Sequence, residues 1–111
     1  MDIEVHTTNS RLMFELFDNP KSVSQGDKRE VPGNAELENK GMMIFKSVGV
    51  PEILNFSLTF GSGVVAGLVA NWLYDKLRDN KVKKLIINRR EIHLGRGEIK
   101  KVIEEEIEES R

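Results

Sequence analysis

Residues 54–77, LNFSLTFGSGVVAGLVANWLYDKL, decide the fold because two different hydrophobic periodicities meet in them. Apolar and polar residues alternate strictly over residues 54–60, which predicts a strand with one packed face and one uncharged polar face. Over residues 63–79 the apolar residues recur every three or four positions, which predicts an amphipathic helix. The glycine-rich sequence at 61–63 is typical of a tight connection between a strand and a helix.

The chain that follows this stretch predicts a hairpin and a second helix. A two-residue loop at Asn88-Arg89 would pair Ile87 with Arg90 and would place most apolar side chains of residues 82–94 on one face. Residues 98–109 carry apolar residues at helical spacing and predict an amphipathic helix.

The chain that precedes it is less regular. Residues 1–17 contain two short alternating runs and predict an edge hairpin, although the second run also suits a short helix capped by Ser10. Residues 18–41 have few apolar residues and predict a long flexible loop. The uninterrupted apolar run MMIF, residues 42–45, predicts a short buried strand.

These elements predict the α+β class for the 111 residues. We expect a single small domain in which an amino-terminal β-hairpin (1–17) and a flexible loop (18–41) precede a β-α-β-β-α core (42–111) built around a central apolar helix. Cysteine is absent from the sequence, which excludes a disulfide framework and thiolate chemistry.

Charge is segregated along the chain although the net charge is only −1. Residues 81–101 contain eight basic and two acidic residues, whereas residues 102–111 contain five glutamates and one arginine. The basic segment can attract an anionic partner or neutralise the acidic segment, and ordinary solvated charge favours the second interpretation. A nucleic-acid binder that uses the basic hairpin 81–96, with Arg89 and Arg90 at its tip, is one alternative, but no aromatic residue is interleaved for base stacking.

The glycines at 61, 63 and 67 suggest a second alternative. Glycine at the start of a helix lets a nucleotide phosphate approach exposed amide groups, and Gly61-Ser62-Gly63 could form such a turn. Because no phosphate-binding lysine and serine pair follows, the pattern favours a tight turn with close helix packing.

From Ile53 to Tyr74 the sequence contains no ionisable side chain except the Tyr74 phenol. This stretch suggests a third alternative, a small single-pass membrane protein with a span near residues 53–74. The strict alternation before Gly61 favours a strand followed by a helix instead. The amino terminus has no basic region followed by an apolar run, so we expect a cytoplasmic protein.

Catalytic patterns are nearly absent. The two histidines, His6 and His93, lie far apart in sequence and in the polar phase of their strands. The spacing of the histidines and carboxylates does not specify a metal site or a cofactor site. The sequence therefore predicts a protein that is not an enzyme and that binds no metal and no cofactor.

By exclusion, the sequence predicts a non-catalytic protein-interaction module, a regulator, adaptor or inhibitor that binds a protein partner and also forms a homo-oligomer. Aromatic side chains often anchor interfaces, and small residues on one helix face permit close approach of another chain. The candidate interaction residues are Trp72, Tyr74, Gly63, Gly67, Ala70, Arg89 and Arg90.

Overall fold

The structure is a computed structural model that describes residues 1–45 and 47–110. The elements along these ranges are β1 (Asp2–Thr7), α1 (Leu12–Phe17), β2 (Lys28–Val31), β3 (Ala35–Met43), β4 (Glu52–Phe60), α2 (Ala66–Leu77), β5 (Val82–Ile87), β6 (Arg90–Ile92) and α3 (Arg96–Glu109). The six strands form one antiparallel sheet in the order β2-β3-β4-β1-β5-β6. The predicted α+β class is confirmed.

The alternation of residues 54–60 separates the two faces of the sheet. Leu54, Phe56 and Leu58 are buried at 1–3% exposure, and they point to the face that the helices cover. Asn55 and Ser57 lie on the opposite face and stay half-buried. One face packed and one face solvated is the usual state of an antiparallel sheet.

The prediction of an edge hairpin over residues 1–17 is wrong. β1 lies inside the sheet between β4 and β5, and residues 12–17 form helix α1. The helix forms because its apolar side chains at positions 12, 13, 16 and 17 are all buried in the core. Arg11, not Ser10, occupies the N-cap position, and Asp18 ends the helix in the left-handed conformation at φ 50°.

The prediction of a flexible loop over residues 18–41 is also wrong, since this region contains β2 and most of β3. Ala35, Leu37 and Asn39 are buried and alternate with half-buried glutamates on the open face. The turn between the strands brings Gly33 against α2. A Cβ on Gly33 would lie 2.6 Å from Val69 Cγ2, and its φ of 95° favours glycine.

The second half of the chain follows the predicted layout. Helix α2 begins at Ala66, three residues later than the periodicity suggested, and α3 covers the predicted amphipathic segment. Ile87 pairs with Arg90 as predicted. Asn88 and Arg89 both have positive φ, at 49° and 67°, as a type I′ turn requires.

A single helix over residues 53–74 does not form, because residues 52–60 are strand β4. In the described ranges, no helix has both the length and the apolar character needed to cross a bilayer.

Candidate functional site: the apolar tip of the β3–β4 hairpin

The small residues of α2 face the carboxyl-terminal helix. Ala70 is fully buried, and a Cβ on Gly67 would lie 3.9 Å from Lys100 Cε of α3. Gly63 lies before the helix, in the connecting turn, with φ at 78°. Within this chain, therefore, Gly67 lies next to α3, and Ala70 has no exposed surface for a partner.

The two aromatic candidates also have contacts within the chain. The Arg29 guanidinium lies 5.5 Å from the centre of the Trp72 ring, and the Arg96 guanidinium lies 5.1 Å from the centre of the Tyr74 ring. Both rings are half-buried. Cation–π contacts of this kind stabilise a fold by roughly 0.5–1 kcal/mol at exposed sites.

The tip of the basic hairpin lies beside the acidic end of α3. Arg90 Nη2 is 3.4 Å from Glu105 Oε2, and Asn88 Nδ2 donates a hydrogen bond of 2.9 Å to Glu106 Oε2. Arg89 is exposed. The hairpin therefore places positive charge at the carboxyl end of a helix, where the helix dipole favours it.

The turn at Gly61 is held by the β2–β3 turn. The Gly61 amide donates to the Asn34 carbonyl at 2.9 Å, and the Asn34 side chain donates to the Ser62 carbonyl. The Val65 amide donates to the Gly33 carbonyl, also at 2.9 Å. Two of the amides that could have faced a phosphate are thus bonded to the chain itself.

Ionisable side chains on the open face of the sheet pair with one another. His6 Nε2 lies 2.7 Å from Glu4 Oε2, and the Lys40 ammonium lies 2.9 Å from Glu38. A hydrogen bond from Lys40, together with the charges of Lys40 and Lys28, lowers the pKa of Glu38. Residues 1–45 and 47–110 contain no group of three metal-ligating side chains.

The most exposed apolar surface lies where β3 turns into β4. We call it the apolar tip. Its six side chains share an exposure of 41% or more: Met42 42%, Met43 53%, Ile44 61%, Phe45 41%, Val48 106% and Val50 43%. The prediction that residues 42–45 form a buried strand is therefore wrong for the isolated chain.

The apolar character of the tip extends to both faces of the hairpin. Met42 pairs with Leu54, and Met43 pairs with Ile53. Residues directly opposite each other in an antiparallel pair share a face. Leu54 points to the helix-covered face, so Met42 lies on that side and Met43 lies on the open side. The chain's own helices can cover at most one of these two surfaces.

The tip is exposed on the outer side of β3 because β2 ends before it. β2 pairs with β3 only from Ala35 to Glu38. The register shifts between Asn39 and Gly41, where the Asn39 side chain accepts a hydrogen bond of 2.9 Å from the Gly41 amide. Beyond this β-bulge β3 is the edge strand, because β2 has ended, whereas β4 still pairs with β1 as far as Glu52.

The only sequence signal for this site is the run of four apolar residues at 42–45, followed by valines at 48 and 50. Such a run indicates burial without indicating what provides it. None of the seven interaction residues chosen from the sequence lies in the tip.

Comparisons of the chain with protein-family models, with curated proteins and with solved structures find no match. The function of the protein must accordingly be inferred from its own residues. Among its surface features, the exposed apolar tip is the least expected in a small α+β domain.

Proposed function

We propose that this chain is a non-catalytic protein-interaction module that binds its partner through the apolar tip. The observation that carries the proposal is the exposure of six apolar side chains, at residues 42–45, 48 and 50, between the paired parts of β3 and β4. Large contiguous apolar patches are uncommon on monomeric soluble domains, and they are often binding sites.

The contrast between the sequence pattern and the observed burial supports a partner. A run such as MMIF is typical of a strand that is covered on both faces. In the single chain Met42 and Met43 are 42% and 53% exposed, although Leu54, the cross-strand neighbour of Met42, is buried. Covering one large apolar side chain contributes about 1.5–3 kcal/mol, so a few of them would stabilise a complex measurably.

The polar groups of the chain give less support to a binder of nucleic acid or phosphate. Arg90 faces Glu105, and the Lys84 ammonium lies 3.6 Å from Glu91. Basic residues that already face carboxylates attract phosphate less strongly than isolated ones do. The exposed side chains of the apolar tip, in contrast, offer apolar surface, which favours a protein partner over a nucleic acid.

Site-specific photo-crosslinking tests the proposal. A photoreactive phenylalanine analogue is placed at Ile44 in cells that express the full chain, and the matched control carries it at Thr59. Thr59 is also exposed, but it lies at the other end of β4. We expect protein adducts from position 44 and none of the same mass from position 59. Absence of adducts at 44, or the same adducts at both positions, would contradict the proposal.

A second variant separates loss of binding from loss of fold. Phe45→Ser in the chain that carries the photoreactive residue at 44 should abolish the adducts. Phe45 is 41% exposed and is not part of the buried core. The thermal unfolding temperature of this variant should therefore stay close to that of the parent chain.

A further inference from the structure

The end of the molecule opposite the apolar tip contains a groove of about 570 Å³ between the start of α2 and the last turns of α3. We call it the helix groove. Its apolar floor consists of Val64, Ala66 and Ile107, and its polar rim consists of Lys101, Glu104, Glu105 and Glu108. A groove of this size accepts a small number of large apolar side chains.

The electrostatics of the groove favour a cationic occupant. Glu104, Glu105 and Glu108 are exposed and lie in the carboxyl-terminal turns of α3, where the helix dipole disfavours negative charge. Arg90 approaches Glu105 from the neighbouring hairpin. A further positive charge beside Glu104 and Glu108 would relieve the remaining repulsion.

The apolar tip has the complementary chemistry. Between Met42 and Pro51 the only charged residue of the sequence is Lys46, and it directly follows Ile44 and Phe45. We propose that the apolar tip of one copy of this chain docks in the helix groove of a second copy, an inference that rests on the proposed interaction function. Ile44 and Phe45 cover the apolar floor, and the positive charge of residues 42–51 complements the glutamate rim.

The two surfaces cannot meet within one chain. Strand β4 begins at the tip with Glu52 and ends at Phe60, shortly before α2 begins. Its nine residues span about 30 Å, and the molecule is 43 Å long. Each copy therefore offers one tip and one groove at opposite ends.

A contact between two different surfaces of the same chain is heterologous and repeats from copy to copy unless the assembly closes into a ring. A single hairpin tip buries an area at the small end of protein interfaces, below about 1,200 Å². We therefore expect association that grows with protein concentration rather than a dimer that is stable at all concentrations.

Two variants of the full chain test the docking. The tip variant carries Ile44→Asp and Phe45→Asp, and the groove variant carries Glu104→Lys and Glu108→Lys. All four positions are exposed, so circular dichroism melting should show that both variants keep the fold. In sedimentation equilibrium up to about 1 mM protein, the average mass of the parent chain should rise above 12.6 kDa. Each variant alone should stay at the monomer mass.

Mixing the two variants gives the decisive measurement. The tip variant keeps an intact groove, and the groove variant keeps an intact tip, so the average mass of an equimolar mixture should rise above 12.6 kDa with concentration and never exceed twice that value. A groove variant that associates as the parent does would show tip-to-tip pairing and overturn the inference. A mixture that stays monomeric would overturn it as well.

Two further outcomes separate this inference from the proposed function. A parent chain that stays monomeric while position 44 crosslinks to a different protein would overturn self-docking and leave the interaction module intact. A parent chain that stays monomeric, forms no protein adducts at position 44, and floats with vesicles of phosphatidylcholine and phosphatidylserine would overturn both, provided the tip variant does not float.

Discussion

The two hairpins of the sheet, β5–β6 and β3–β4, differ in the length of their turns and in the polarity of the side chains there. The β5–β6 hairpin turns in two residues, and its tip is polar. Asn88 bonds the Asp2 amide at 2.9 Å and Glu106 at 2.9 Å, so the turn is tied to both the sheet and α3. In the β3–β4 hairpin β3 ends at Met43 and β4 begins at Glu52, and the apolar side chains at 44, 45, 48 and 50 between them are exposed. A polar tip can be satisfied by a few local hydrogen bonds, whereas an apolar tip needs a surface to cover it.

The largest expected effect distinguishes the base of the β3–β4 hairpin from its tip. Leu58 is 1% exposed in the core, whereas Ile44 is 61% exposed. Leu58→Ala should lower the free energy of unfolding by about 2–5 kcal/mol, because it removes buried methyl groups and leaves a cavity. Ile44→Ala should change it by less than about 0.5 kcal/mol. Urea unfolding of dilute protein measures both, and equal losses would show that the tip is packed in the monomer.

The next effect compares glycines in the covered and exposed turns. Gly33 and Gly49 both have positive φ, at 95° and 80°. A Cβ on Gly33 would also lie 2.8 Å from the Val65 carbonyl oxygen, whereas a Cβ on Gly49 meets nothing within 4 Å. Gly33→Ala should therefore lower the free energy of unfolding by about 2–4 kcal/mol, through backbone strain plus overpacking. Gly49→Ala should lower it by about 1 kcal/mol, through strain alone. Similar values in thermal unfolding would mean that α2 does not rest on the β2–β3 turn.

The smallest effect concerns the tight turn. Asn88→Ala removes two hydrogen-bonding groups and puts alanine at φ 49°, which should lower the free energy of unfolding by about 1–2 kcal/mol. Asn88→Gly removes the same bonds without the strain and should cost about half as much. Chemical denaturation of the two variants separates the contributions. Should both variants unfold like the parent, the bonds from Asn88 to Asp2 and Glu106 would contribute nothing.

The second half of the fold was predictable because β4, α2 and α3 are each long enough to show a period. Residues 54–60 show more than three full alternations, and α2 shows three helical turns. The β5–β6 register followed from requiring most apolar side chains to share one face. The confirmed pairs, such as Ile87 with Arg90, depend on that one condition.

The first half was not predictable for the opposite reason. Residues 12–17 are too short to distinguish period two from period 3.6, and packing of Leu12 and Leu16 in the core decided in favour of a helix. In β3 only Ala35 and Leu37 mark the buried face, and half-buried Glu36 and Glu38 between them make the segment look like a loop. Charged residues on an open sheet face thus concealed a strand.

The candidate site was missed because burial of an apolar run is not a local property. Whether Met42 and Met43 are covered depends on where β2 and the helices end, and residues 42–45 contain no information about that. Trp72 and Tyr74 drew attention as large aromatic side chains, but arginines from β2 and α3 already cover one face of each ring.

The bulge between Asn39 and Gly41 accommodates one extra residue of β3. Asn39 lies opposite Phe56 and Gly41 lies opposite Asn55, which are consecutive residues of β4, so Lys40 has no partner in the ladder. Loss of Lys40 would therefore give a regular ladder in which Met42 still lies opposite Leu54 and Met43 opposite Ile53, each on the face that it occupies now. Related chains can thus gain or lose this extra residue while the apolar tip keeps the same side chains on each of its faces.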